Sequence, residues 1–134
     1  MAKLIKSILS GSNVVGLGET TSSDQLEGRF AVEVATLTDA ATIAVDFGAN
    51  QNFTVTLGGN RTLGNPTNIV VGQTGSIIVV QDSTGSRTLS FSSYYKFPGG
   101  TVPTLSTAAN SIDRIDYIVK STTEIHCVFT GNYS

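Results

Sequence analysis

His126 is the single histidine of the chain and lies two residues from Glu124, a spacing that puts both side chains on one face of a strand. An imidazole beside a carboxylate could move a proton, but hydrolysis would also need a nucleophile and an orienting acid. No Gly-x-Ser-x-Gly elbow supplies the nucleophile. A lone strand histidine without those partners reads as structural. Asp113 and Asp116 sit three apart, so on a strand they point to opposite faces and cannot pair for acid–base work or share one metal. A polysaccharide hydrolase would require two carboxylates at a suitable separation, and the sequence offers no such pair. The run Asp82-Ser83-Thr84-Gly85-Ser86 lacks the alternating acids and terminal Glu of a calcium loop and reads as a turn closed by an Asx hydrogen bond.

The remaining chemistry is equally sparse. Gly58-Gly59-Asn60-Arg61-Thr62-Leu63-Gly64 is glycine-rich but lacks the Gly-Lys-Ser/Thr ending of a phosphate loop, and its Gly and Asn are expected to supply positive φ angles. Cys127 is the only cysteine, which excludes an intrachain disulfide and reads as a small buried hydrophobe on a strand. Tyr94, Tyr95 and Phe97 form an aromatic cluster. Exposed, it would stack a sugar or dock a subunit; buried, it would close one end of the fold. The sequence therefore predicts a protein that is not an enzyme, with no catalytic residue, no cofactor and no metal.

Composition agrees with a binding or structural role. Charged residues make up only 13% of the 134 residues, against about 25% in an average domain. The surface must be covered by Ser, Thr, Asn and Gly, which suits a β-rich protein that sits in an assembly. Net charge is −2 and the eight Lys and Arg are scattered, so no nucleic-acid footprint exists. The opening MAKLIKSILSGS is interrupted by Lys6 and is not a signal peptide, and no run reaches the length of a membrane span. Neither nucleic acid nor a membrane is an expected partner.

Two regions position these residues. Residues 1–38 read as an extended N-terminal arm with one or two short strands. Its apolar clusters Leu4, Ile5, Ile8, Leu9, Val14, Val15 and Leu17 are the expected interface, burying either on a neighbouring subunit or on the chain's own sheet. Phe30, Val32 and Val34 alternate as a strand would, with a short helix over 25–36 as the alternative. Residues 39–134 read as the β module. Ile43, Val45 and Phe47 share one face, Phe53, Val55 and Leu57 another, and the two runs suggest a hairpin through Gly48-Ala49-Asn50. Ser76 to Gln81 is apolar on both faces, as a central strand would be. Ser111 to Lys120 and Thr123 to Thr130 predict a final hairpin, with Ile115, Tyr117 and Val119 facing Ile125, Cys127 and Phe129. The expected fold is all-β: a small sandwich or barrel of about seven to eight short antiparallel strands with an extended N-terminal arm and no repeat of solenoid length.

Three phrases in order, NRTLGNPTN from Asn60, GSIIVVQDSTGSRTLSF from Gly75 and KFPGGTVPTLSTAANSIDRIDYIV from Lys96, resemble a β module of tailed-bacteriophage virion proteins. That module often ends tail-fibre or tail-spike chains, and the resemblance covers about residues 54–133. It implies a symmetric, often trimeric, non-enzymatic component on the particle surface, made in the bacterial cytoplasm. The short chain with its arm further resembles a capsid decoration, or cement, protein. Such a protein would form a homo-oligomer, a trimer, and bridge subunits of the major capsid protein. The alternative is a short tail-fibre or receptor-binding module among tail proteins, with Tyr94, Tyr95 and the 58–68 loop meeting a host cell-surface glycan.

Overall fold

The computed structural model describes residues 32–134, and among these it is built of nine strands with a single 3₁₀ turn at Pro98–Gly100. The interface residues expected at Leu4, Ile5, Ile8, Leu9, Val14, Val15 and Leu17 lie outside the described residues. The strands are β1 (Val34–Thr36), β2 (Thr42–Ile43), β3 (Asn52–Leu57), β4 (Arg61–Leu63), β5 (Thr74–Gln81), β6 (Leu89–Phe91), β7 (Tyr95–Lys96), β8 (Ile112–Ser121) and β9 (Glu124–Tyr133). They form a six-stranded sheet in the order β1-β3-β5-β8-β9-β7 and a three-stranded sheet in the order β2-β4-β6.

The all-β expectation holds, but the strand directions differ from it. The chain alternates between the sheets from β1 to β6, so each turn lays one strand in each sheet and successive turns stack in parallel. Only the pairings of β5 with β8 and of β8 with β9 are antiparallel. The hairpin expected over Ala41 to Leu57 is absent: β2 pairs with β4, while β3 pairs with β1 and β5. The bend between β2 and β3 is set by Asp46, whose Oδ1 accepts hydrogen bonds from Gly48 N and Asn68 Nδ2, both at 2.8 Å. It carries the chain across to the other sheet instead of back along the same one. Arg87 to Phe91 likewise crosses sheets and does not return beside β5. A coil is thus present where the sequence shows no repeat, because its turns are of unequal length. One sheet steps from Val34 to Asn52 to Ser76, the other from Thr42 to Thr62 to Ser90.

The core lies between the sheets and follows the period of two that half-buried strands impose. A row of inward side chains runs Ala35, Phe53, Ile77, Ile115, Phe129 across five strands. Ile43, Leu63 and Phe91 form the matching row of the smaller sheet. β5 is central as predicted, and its Gly75 is required by close approach: a Cβ there would run into the Gln51 carbonyl oxygen. Tyr117 Oη donates to that same carbonyl at 2.7 Å, with Gln73 Nε2 3.1 Å from the phenol. The final hairpin has the expected inward set, and Ile115, Tyr117, Val119, Ile125 and Cys127 are all buried. β1 lies before residue 38 and is already part of the larger sheet, so Val34–Thr36 adopt the strand and not the helix.

Candidate binding groove

The glycine-rich stretch from Gly58 to Gly64 does not supply positive φ angles. Those occur at Asn68, Ser86, Asn110 and Asn132, and at Gly72, Gly85, Gly99 and Gly100. Arg61 fills this stretch instead, making a two-pronged pair with Asp39 at 2.8 and 2.7 Å. The Asp82 turn is as predicted: Oδ1 accepts from Thr84 N and Gly85 N, and Oδ2 pairs with Arg87. In both loops the charged side chains are thus paired within the loop or with its neighbour.

The aromatic cluster resolves into separate roles. Tyr95 is 6% exposed and Phe97 9%, so neither belongs to an exposed platform. Tyr95 Oη donates to Gly64 O at 2.9 Å, and burial pushes its phenol well above the usual tyrosine range. Phe97 meets Phe91 edge to face at 4.8 Å. Tyr94 is half-buried, its backbone N–H donating to Asn65 Oδ1 at 2.9 Å. Together they pin the short β7 against β9 at Ile125 and His126.

That anchoring creates the candidate site. β7 ends at Lys96 and the chain turns away through Pro98, so β9 loses its outer neighbour after His126. An open groove of about 440 Å³ lies there, lined by Lys96, Phe97 and Pro98 on one side and by β8 and β9 on the other. Alternation along the hairpin turns Asp116 and Ile118 of β8, and His126 and Val128 of β9, to the outer face. Asp116 is directly opposite Val128, and Ile118 is opposite His126. Ile118 is 47% exposed and Val128 56%, which makes the floor apolar and open to water.

Polar groups rim this floor. Asp116 accepts a 2.6 Å hydrogen bond from Ser76 Oγ and pairs with Arg114 at 3.0 Å. His126 Nε2 lies 2.8 Å from Glu124 Oε1, which also meets Lys120 Nζ at 3.0 Å. His126 first, and Lys120 second, hold the Glu124 carboxyl below its usual range. The Lys96 ammonium donates to Ser93 O at 2.7 Å. Cys127 lies beneath, its thiol pushed up to about 12 by burial, so it stays protonated and offers no nucleophile at neutral pH. The groove thus joins an apolar floor to convergent donors and acceptors, the combination that ligand-binding clefts use.

The sequence separates Asp113 from Asp116 correctly. Asp113 points inward, 1% exposed, accepting from Ser106 N and Oγ and from Asn132 N. It ties the loop before β8 to a bulge in β9 opposite it. Sequence reasoning missed Lys96, Pro98, Ile118 and Val128. The signal was there in two apolar residues, Ile118 and Val128, at outward positions of a hairpin whose inward set was already assigned.

The family described as a putative phage tail fibre C-terminal domain matches residues 34–122. The chain belongs to that family. It is accordingly a structural module of a phage virion, as the ordered phrases implied. For a tail-fibre C-terminal domain the match runs from β1 through β8 and stops before β9, so half of the groove hairpin lies beyond it. No curated protein and no solved structure matches the chain.

Proposed function

We propose that this domain is the receptor-facing end of a tail fibre and that it acts by binding a glycan of the host cell surface without transforming it. The observation that carries the reading is the match to a tail-fibre C-terminal domain over two-thirds of the chain's length, residues 34–122. It favours the tail over the capsid-cement role that the short chain and its arm suggested. The groove between β7 and the final hairpin supports a binding role, since it joins exposed Ile118 and Val128 to the polar rim of Asp116, His126 and Lys96.

In this reading the domain works as a homo-oligomer, three copies to a fibre, so that weak single-site contacts multiply. The exposed Val32, Val34, Val70 and Val71 are apolar surface of the kind that neighbouring tail proteins or copies cover. Gold-labelled antibody raised against the folded domain tests the location on intact particles. Label at the distal tail is expected; label confined to the icosahedral shell overturns the reading in favour of cement. Incubation with host surface polysaccharide should release no new reducing ends.

A further inference from the structure

The geometry points to a carboxylate-bearing sugar, a hexuronate unit, as the ligand of the groove, with Lys96 as the residue that selects it. This rests on the glycan-binding reading above and narrows its ligand class. Among the described residues, Arg61, Arg87, Arg114 and Lys120 each have a carboxylate partner within 3.0 Å. Lys96 has none among the described residues; its one hydrogen bond goes to the Ser93 carbonyl, which leaves other ammonium protons unused. The unneutralised cation of the described surface therefore lines the one groove whose floor carries exposed Ile118 and Val128. Of the groove's lining, Asp116 is already paired with Arg114 outside it, and Glu124 beside the rim with Lys120, so Lys96 is the cation left to meet an incoming anion.

That balance chooses among anions. One unpaired ammonium matches a single carboxylate. A phosphate dianion would meet the Asp116 and Glu124 carboxylates with only one free cation to offset them. A neutral sugar would leave the ammonium unused. The bound ring would lay its less polar face on Pro98 and Val128 and its carboxylate against Lys96, with Asp116 and His126 in reach of hydroxyls.

Titration calorimetry of the full chain with a galactotriose bearing one galacturonate unit, plain galactotriose and glucose 1-phosphate tests this. The expected result is that the trisaccharide with the single carboxylate binds most tightly. Lys96→Met should weaken it by about tenfold or more, while Lys96→Arg retains it. Equal binding of the acidic and neutral trisaccharides, tighter binding of the phosphate, or an unchanged Lys96→Met affinity would each overturn the assignment. If no probe binds while antibody still labels the distal tail and the domain still adsorbs to susceptible bacteria, the hexuronate assignment fails and the tail-fibre reading survives. Loss of tail labelling would instead remove the reading beneath it.

Discussion

The parallel coil of β1 to β6 and the antiparallel hairpin of β8 and β9 use the same alternation to different ends. On the coil's smaller sheet the outward positions are Thr42, Thr62 and Ser90, and Thr62 Oγ1 and Ser90 Oγ hydrogen-bond to one another at 2.7 Å. Its loop ends are tied by Asp39–Arg61 and Asp82–Arg87. On that face the Thr62 and Ser90 hydroxyls satisfy each other. The hairpin instead turns Ile118 and Val128 outward and leaves β9 without an outer neighbour beyond His126. The contrast separates the smaller sheet's outer face, where hydroxyls pair with one another, from the hairpin's outer face, where apolar side chains are uncovered.

Breaking the scaffold should have the largest effect. Phe53→Ala deletes a buried ring of the five-strand row and should cost about 4 kcal/mol, read from the urea midpoint. Asp113→Asn comes next, at about 2 kcal/mol, because an amide cannot accept from Ser106 N on one side and from Ser106 Oγ and Asn132 N on the other. Hydrogen exchange at the β9 bulge should rise with it.

Acid should weaken the coil's ties more gently. Arg61 and Arg87 hold the Asp39 and Asp82 carboxyls below their usual range. Unfolded, each binds a proton near about pH 3.9; folded, each does so only at lower pH. The unfolded chain thus binds more protons in that window, so this contribution is complete above the unfolded value and is lost as pH falls through the folded ones. The Asp39→Asn, Asp82→Asn double variant should show a flatter stability profile below pH ~4. Smallest of all, Ile118→Ser with Val128→Ser should leave stability within about 0.5 kcal/mol, as expected for exposed positions. A large loss in that variant would mean the hairpin's outer face is part of the scaffold after all.

Legibility in the sequence divides along the same line. The faces of the hairpin could be read, because alternation alone sets Ile115, Tyr117 and Val119 opposite Phe129, Cys127 and Ile125; the register shift between Val119 and Ser121, beside the turn, could not. The coil could not. Ile43, Val45 and Phe47 alternate identically in parallel and antiparallel strands, and their direction is set by partners such as Leu63 and Phe91 far along the chain. Gly48-Ala49-Asn50 looks like a hairpin turn until the Asp46 side chain is seen bonded to Asn68. At the groove, alternation separates Asp116 from Asp113 and places His126 with Glu124, opposite Cys127. Lys96 and Pro98 reach the groove only because Tyr95 is anchored to Gly64, a contact that no local pattern encodes.

Adsorption to susceptible bacteria puts the division between scaffold and contact surface to its most direct trial. Two variants add the same charge to different sheets, Val128→Glu on β9 and Ser90→Glu on β6, and each is first shown to fold by circular dichroism. Loss of cell binding in Val128→Glu alone is the predicted result. Equal loss in both, or loss in Ser90→Glu alone, would contradict it.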